Sequence, residues 1–314
     1  MGLFERGGAF LQSVLKPDLQ QPASERKTRK TLELSDFPEN HPYRIFMEKQ
    51  KNPEYLPSED EIRVALDAKN FSDKTTQEDA WWKFVGRSGK QAEGSSEQEM
   101  FHHDILTKEY IERFGNYIQE RAAAYGATTE RPLMILEVGA GNGRFSHFLA
   151  DFAQQKNIPV KIIASDSGQS KVAPLFPLEA KDAAIAVKEM RPDMVISCWM
   201  PPGVDFTSDF RIEPSVKEYI LTGQLQGGTF NAGDNWKTWG IESQSKTEAE
   251  ERGEDTSRPP FVRDGFEEVE LENIEEKQMN RLATRGKIFA TPDKRYNPYI
   301  DGKPVTYAFR RKNN

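Results

Sequence analysis

The chain of 314 residues is long enough for one large domain or two ordinary ones, but with 36% hydrophobic and 30% charged residues it has few core-forming side chains. Its formal net charge of −7 gives no general attraction to nucleic acid or anionic membranes. The single cysteine, Cys198, excludes an intramolecular disulfide and a zinc site built from cysteines. Because no apolar run is long enough to span a bilayer and no signal-peptide pattern is present, we expect a soluble, cytoplasmic protein, with a nuclear or organellar location left open.

The first part of the chain divides into two predicted segments. Residues 1–56 show no sustained periodicity, which predicts a flexible amino-terminal arm. Residues 57–104 contain two capping boxes that open at Ser58 and Thr75, each followed by apolar residues, and this pattern predicts helices. We interpret this helical segment as a lid or substrate platform for the domain that follows.

The remainder, 105–314, is predicted to form one α/β domain. Buried-strand runs, the first at 132–138, alternate with helical patterns, and this alternation is typical of a parallel sheet with helices on both faces. Two later runs, 266–271 and 305–311, alternate apolar and polar residues as antiparallel edge strands do. The segment 242–260 has almost no apolar residues and predicts a mobile insertion.

The most specific motif is a glycine turn between the first strand and its helix, with the sequence LEVGAGNGRF. Glu137 ends the strand, and three glycines follow at intervals of two: Gly139, Gly141 and Gly143. Glycines permit a tight turn and remove the Cβ atoms that would block a ligand. Arg144 replaces the third glycine of the dinucleotide fingerprint G-x-G-x-x-G, and the Glu137 carboxylate would repel a pyrophosphate. The turn therefore favours a ligand with a positive group over NAD.

These residues resemble the first motif of the class I S-adenosylmethionine-dependent methyltransferases, an acid followed by x-G-x-G-x-G. That family has a second acid at the end of strand two, where this chain has Asp166 in IIASDSG. The resemblance covers about residues 106–311. It implies an α/β fold with a seven-stranded, mostly parallel, Rossmann-like sheet, helices on both faces and the helical extension before it. It also implies S-adenosyl-L-methionine as the cofactor, with no metal.

The same resemblance implies the roles of individual residues. Glu137 would support the methionyl end and the glycine loop, Asp166 would take the ribose hydroxyls, and Asp182 is a candidate for the adenine amino group. The predicted cofactor-binding set is Glu137, Gly139, Ala140, Gly141, Asn142, Gly143, Asp166, Asp182 and Ser197.

The residues after the fourth predicted strand should face the transferred methyl group, since ligands lie beyond the carboxyl ends of the strands in this fold. They read SCWMPPGVD, which is similar to the D/N-P-P-aromatic motif of methyltransferases acting on amino nitrogens. Met200 and Gly203 replace the acid or amide and the aromatic, so we assign no amino-nitrogen methylation. A Pro-Pro turn that only ends the strand is the alternative interpretation.

Candidates for a catalytic group are few. Asp205 and Trp199 lie beside the predicted methyl position, and His103 lies before a long helical pattern that precedes the first strand. For His103 and its neighbour Asp104, the alternative is a surface turn or a helix cap.

The sequence thus predicts a methyltransferase that acts on a small molecule or a protein side chain. Nucleic acid is less favoured as a substrate, and no membrane partner is expected. Two alternatives stay open: a catalytically silent methyltransferase-like binding subunit, and a nicotinamide-dependent oxidoreductase, which Glu137 and Arg144 disfavour. The oligomeric state does not follow from the sequence.

Overall fold

The computed structural model of the protein describes residues 32–85, 104–169, 173–201, 204–224, 235–279 and 304–312. The helices are α1 (Pro42–Gln50), α2 (Glu59–Ala65), α3 (Lys74–Phe84), α4 (Lys108–Ala124), α5 (Arg144–Gln155), α6 (Ala183–Met190), α7 (Thr207–Ile212), α8 (Asn235–Trp239), α9 (Gln244–Glu251), α10 (Pro260–Arg263) and α11 (Glu272–Glu275). The strands are β1 (Leu133–Val138), β2 (Val160–Asp166), β3 (Glu179–Ala180), β4 (Met194–Cys198), β5 (Glu218–Gln224), β6 (Phe266–Glu270) and β7 (Pro304–Arg311).

The strands form one seven-stranded sheet in the order β3-β2-β1-β4-β5-β7-β6. The first five strands in this order, β3, β2, β1, β4 and β5, are parallel to their neighbours, whereas β7 is antiparallel to both β5 and β6. The first five strands follow the order of doubly wound dinucleotide folds, in which ligands bind where the strand order reverses. Here that crevice lies at the carboxyl ends of β1 and β4. The predicted seven-stranded, mostly parallel α/β fold is confirmed.

The two faces of the sheet pack on separate apolar cores, because successive side chains of a strand point to opposite faces. From β1, Leu133 and Ile135 join the core formed with α4 and α5. Leu136 and Val138 join the opposite core, formed with α6, α7 and α10. Helices therefore cover both faces, as predicted.

The last two strands differ from the sequence expectation in one respect. Both were expected at sheet edges, and β6 does lie at the edge. β7 lies inside the sheet, between β5 and β6, and buries Ala308 and Phe309 completely. A fully paired internal strand has to cover both of its faces with apolar side chains, and β7 does so along most of its length.

The amino-terminal helices α1 to α3 build a third apolar cluster, which includes the buried side chains of Tyr43, Phe46, Ile62 and Trp81. Residues 1–31 of the arm expected over 1–56 lie outside the described residues. The described remainder, 32–56, contains α1, which packs into this cluster. An ordered helical part therefore begins before residue 57.

Two local expectations in this region have different outcomes. The capping box of Ser58 is present, since its side chain accepts a hydrogen bond from the backbone of Glu61 at 3.1 Å. The prediction of a capping box at Thr75 is wrong, because Thr75 does not cap the helix. α3 begins earlier, because Asp73 is its cap and accepts a hydrogen bond from Thr76 N at 2.8 Å. Residues 86–103 of the expected helical segment lie outside the described residues.

The polar segment 242–260 contains the helix α9, whose Ala249 is fully buried. Its mobility stays a prediction. Among the helices that the structure describes, none has the length and apolar character needed to cross a lipid bilayer.

Candidate functional site

The glycine turn connects β1 to α5, and its three glycines adopt the left-handed region. The φ angles are 64° at Gly139, 58° at Gly141 and 79° at Gly143. Such angles are costly for residues with a Cβ atom, so the turn depends on glycine. A Cβ atom built on Gly141 would meet no atom within 4 Å, whereas one on Gly139 would lie 3.7 Å from the Phe206 ring. The turn thus has an open surface at Gly141 against which a ligand can lie.

Backbone hydrogen bonds fix the shape of this turn. Ala140 N donates to Ser165 O at 3.0 Å, which ties the turn to β2. Asn142 O accepts from Leu175 N at 3.0 Å and from Phe176 N at 3.2 Å, which ties it to the loop after β2. The turn is therefore held from both sides before any ligand binds.

Asp166, at the end of β2, lies directly against the turn. Its Oδ2 accepts a hydrogen bond from Gly141 N at 2.8 Å, and its Oδ1 accepts one from Gly168 N at 2.7 Å. A carboxylate oxygen has two lone pairs, so each oxygen can still accept a hydroxyl. The structure thus brings the second acid of the predicted pair to the glycine turn.

Glu137, the first acid, is buried with 2% of its surface exposed. Its Oε2 accepts hydrogen bonds from the backbone N and the hydroxyl of Ser146 on α5. Burial raises the pKa of Glu137 to about 7, although the Ser146 hydrogen bonds act in the opposite direction. Because burial disfavours the charged carboxylate, a positive ligand group beside it would stabilise that form.

Two further predicted cofactor residues occupy different settings. Asp182 is exposed and caps α6, where its side chain accepts a hydrogen bond from Ala184 N at 3.1 Å. Ser197 is only 1% exposed, and its hydroxyl has no hydrogen-bond partner within the described ranges. Ser197 pairs with Val138 at the carboxyl ends of β4 and β1. A buried hydroxyl without a partner is unusual and indicates a place where a ligand or water binds.

The predicted catalytic candidates are not equivalent in the structure. His103 lies outside the described residues. Asp205 lies two residues before α7, and its Oδ1 accepts hydrogen bonds from the backbone N of Thr207 at 2.8 Å and from the Thr207 hydroxyl at 2.6 Å. Trp199 follows β4 with a φ of 55°, which costs about 1–2 kcal/mol in a residue with a Cβ atom. Strained backbone of this kind is concentrated at functional sites.

A half-buried acid for which the sequence left a surface turn or a helix cap as the alternative, Asp104, lies close to Trp199. The carboxylate of Asp104 accepts hydrogen bonds from Gln278 Nε2 at 3.1 and 3.3 Å. Burial raises the pKa of Asp104 to about 7, while hydrogen bonds from Trp199 and Gln278 lower it. Asp104 is therefore partly buried and does not cap α4, whose cap is Thr107. The sequence carries no local signal for this placement, because Gln278 is 174 residues away.

Cys198, at the end of β4, belongs to the same buried region. Burial raises the pKa of its thiol well above the usual value, and the negative charges of Glu137 and Asp104 add to the effect. The thiol is thus held in its neutral form, which is a poor nucleophile.

One cluster in the described part of the chain has the composition of a metal site: Glu54, His147 and Asp151. His147 Nε2 lies 2.6 Å from a Glu54 oxygen and 3.5 Å from an Asp151 oxygen. The ring of His147 also stacks on Phe176, with centroids 3.7 Å apart. These contacts connect the amino-terminal segment and the loop after β2 to α5, which explains the cluster without an ion.

No protein-family model matches the chain, and no curated protein sequence matches it. Among solved structures, the chain is similar to the CMeT domain of the citrinin polyketide synthase, with 10% identity and a TM-score of 0.35 over 88% of this chain and 67% of that one. It is also similar to the plantazolicin methyltransferase BpumL, solved with SAH, with 10% identity and a TM-score of 0.31 over 85% and 100%. A SAM-dependent methyltransferase from Agrobacterium tumefaciens gives 11% identity and a TM-score of 0.32 over 68% and 66%. Because these sequence identities and TM-scores are low, the fold assignment depends on the strand order and not on these similarities.

Proposed function

We propose that this protein is an S-adenosylmethionine-dependent methyltransferase that transfers a methyl group to a small-molecule or protein acceptor. One observation supports this most directly: the left-handed glycine turn meets Glu137 on one strand and Asp166 on the next, at the point where the strand order reverses. A site with open backbone and two acids suits a ligand that has a positive group and ribose hydroxyls.

The residues present fit such a cofactor. The open surface at Gly141 admits a ligand against the backbone, and the buried hydroxyl of Ser197 has an unused hydrogen-bonding capacity among the described residues. Asp166 would take the ribose hydroxyls, Asp182 the adenine amino group, and Glu137 the positive methionyl end. When bound, the cofactor supplies an electrophilic methyl group on a sulfonium.

The chain's own contribution to the chemistry is to align the acceptor, exclude water and accept a proton where one leaves. We assign the last role to Asp104. Its carboxylate lies near Trp199 beyond the end of β4, and a group with a pKa of about 7 is ionised in part at neutral pH. A proton leaving the acceptor atom would move to a carboxylate oxygen of Asp104.

The alternative is a catalytically silent methyltransferase-like binding subunit. The contacts of Asp205 favour it, since both hydrogen bonds of that carboxylate are made to Thr207 at the start of α7. A silent subunit keeps the fold with or without the cofactor, so absence of nucleoside binding would favour it, and when the cofactor binds, detection of a methylated product separates the two.

Calorimetric titration with S-adenosylmethionine, S-adenosylhomocysteine and NAD tests the cofactor assignment. We expect micromolar binding of the two sulfur nucleosides and none of NAD. Gly141→Ala and Asp166→Ala should each weaken that binding at least about tenfold. Gly253→Ala is the matched control for Gly141→Ala, because both glycines have a positive φ and neither Cβ atom would meet an atom within 4 Å.

The control should bind the nucleosides like the parent protein, because Gly253 lies in the loop after α9 and not in the glycine turn. Binding of NAD alone would overturn the proposal in favour of an oxidoreductase. Equal losses in both glycine variants would assign the effect to backbone strain and also contradict it.

A further inference from the structure

A cavity of about 240 Å³ lies between α1, the segment that precedes α4, and the start of α5. Apolar side chains form most of its wall, among them Met47, Phe84, Val85, Ile105, Leu106 and Leu175. Three polar side chains also line it: Gln50, Lys51 and Arg144. A mostly apolar wall with a few polar groups is typical of small-molecule sites.

The guanidinium of Arg144 is only partly satisfied. One terminal nitrogen donates to Tyr55 O at 3.0 Å, and the group lies 5.3 Å from the ring of Phe148. The Nε is buried and has no hydrogen-bond partner among the described residues. Burial lowers the pKa of Arg144, with no carboxylate of the described ranges acting against it. A buried positive charge without a counter-charge is unfavourable, so this arginine favours an anionic ligand.

Gln50 adds a second donor at the same cavity. Its Nε2 is buried and has no partner within the described part of the chain. Lys51, by contrast, is paired with Glu48 at 2.6 Å and is largely exposed. Arg144 and Gln50 are therefore the groups with donors available for a ligand inside the cavity.

We infer that this cavity binds the carboxylate of an apolar organic acid through Arg144 and Gln50, and that a second, protonated nucleophilic atom of this acid is the methyl acceptor. That atom would bond to the methyl carbon as the methyl–sulfur bond of the sulfonium breaks, the thioether would leave, and the proton would move to Asp104. The second part of this inference depends on the proposed function. The planar guanidinium and the amide can both donate to carboxylate oxygens, while the apolar wall encloses the rest of the molecule. Since an apolar cavity of about 150 Å³ holds benzene, this one has room for a ring with a carboxylate.

The position of the cavity relates it to the predicted reaction centre. Arg144 directly follows Gly143 of the glycine turn, and the N–H of Leu175 donates to Asn142 O in the same turn at 3.0 Å. On the other side, Ile105 follows Asp104 in the chain. The wall of the cavity thus includes the residue that follows the turn that would hold the cofactor and the residue that follows the proposed proton acceptor.

Benzoate and its neutral counterpart benzamide are suitable probes, and ligand-detected NMR titration measures their affinities. We expect benzoate to bind at least about tenfold more tightly than benzamide to the parent protein. Arg144→Gln should abolish that preference, because glutamine keeps a donor but lacks the charge. Arg113→Gln, on the exposed face of α4 and outside this cavity, is the matched control and should keep the preference.

Leu106→Phe provides a second test that leaves Arg144 in place, because a larger side chain fills the cavity. It should weaken benzoate binding at least about tenfold. Equal affinities of the two probes, or a preference that survives Arg144→Gln, would overturn the inference. A similar loss of S-adenosylhomocysteine affinity in Arg144→Gln would also overturn it, since the cavity would then serve the cofactor's own carboxylate. If benzoate preference holds but no nucleoside binds, the proposed function fails while the carboxylate site stands.

Discussion

The carboxylate of Asp104 and the side-chain amide of Gln278 are hydrogen-bonded at 3.1 and 3.3 Å, although the two residues are 174 positions apart. Gln278 Oε1 in turn accepts from the hydroxyl of Thr306 on β7 at 2.9 Å, and Thr306 N donates to Glu275 at 2.9 Å. This chain of hydrogen bonds ties Asp104 to the sheet. It holds an acid with a raised pKa in one position, which a proton acceptor requires.

The titration of Asp104 can be observed through the neighbouring Trp199. Because burial raises its pKa to about 7, we expect the tryptophan fluorescence to change with a midpoint near pH 7. Asp104→Asn should abolish the transition while keeping an oxygen that accepts from Gln278. Trp199→Phe should remove the signal without removing the acid.

Gln278→Met sharpens this test. The hydrogen bond from Gln278 lowers the pKa of Asp104, so its loss should move the fluorescence midpoint to a higher pH. A transition that persists in Asp104→Asn would contradict the assignment, since another group would then be titrating.

Local patterns were sufficient to predict the glycine turn, and the family resemblance predicted its partner acid, Asp166. Three glycines between a buried strand and an amphipathic helix fix a left-handed turn, and the acid at the end of the next parallel strand must lie at the same edge of the sheet. The Ser58 capping box was predictable for the same reason, because its partner is three residues away.

Long-range placement was not predictable in this way. The internal position of β7 depends on its pairing with β5 and β6, and the alternation of its residues does not indicate how many neighbours it has. Asp104 is half-buried because Gln278, distant in sequence, lies against it, and the two histidines that precede it in the chain do not indicate this contact. Thr75 resembled a helix cap, but Asp73 two residues earlier is the better acceptor and begins the helix.

The close approach of α4 and α5 depends on Gly115. A Cβ atom at this position would overlap the ring of Phe152, with the ring Cγ at 2.9 Å. Alanine improves helix propensity by about 1 kcal/mol, but overpacking of this kind costs about 1–3 kcal/mol. We expect Gly115→Ala to lower the free energy of unfolding by about 1 kcal/mol in denaturant titrations. Combining it with Phe152→Leu should restore part of the loss, and a stabilising Gly115→Ala would show that the helices are farther apart.

The fully buried Glu218 at the start of β5 joins the sheet to α4. Its carboxylate accepts from Arg121 Nε at 2.7 Å and from the Tyr125 hydroxyl at 2.9 Å, and it lies 3.6 Å from Arg310 Nε. Glu218→Gln leaves both arginines without this counter-charge. We expect a loss of about 3 kcal/mol in the free energy of unfolding, because breaking a buried pair leaves an uncompensated charge.

An exposed ion pair provides the comparison for this effect. Glu242 pairs with Lys246 at 2.6 Å, with 81% of the glutamate side chain exposed. Since exposed pairs contribute little, Glu242→Gln should leave the free energy of unfolding essentially unchanged. Equal effects of the two substitutions would mean that the Glu218 cluster does not stabilise the fold.

Glu137 should make the stability of the protein fall as the pH rises. Its pKa is about 7 in the folded protein and 4.5 as a model value for the unfolded chain. Between these values the unfolded chain releases the proton while the folded protein keeps it, so the stabilising contribution is complete below pH 4.5 and is lost as the pH passes 7. The change amounts to about 3 kcal/mol.

Glu137→Gln should remove this contribution to the pH dependence. The glutamine oxygen can still accept from the backbone N and hydroxyl of Ser146, but the side chain has no charge to desolvate. We therefore expect the variant to be more stable than the parent protein at pH 8 and similar to it in mild acid, in denaturant titrations across that range. Ser146→Ala should have the opposite effect, because losing the hydroxyl hydrogen bond, one of the two that lower the Glu137 pKa, extends the fall in stability to higher pH. A Glu137→Gln variant less stable than the parent at pH 8 would mean that the carboxylate is ionised and stabilised in the fold.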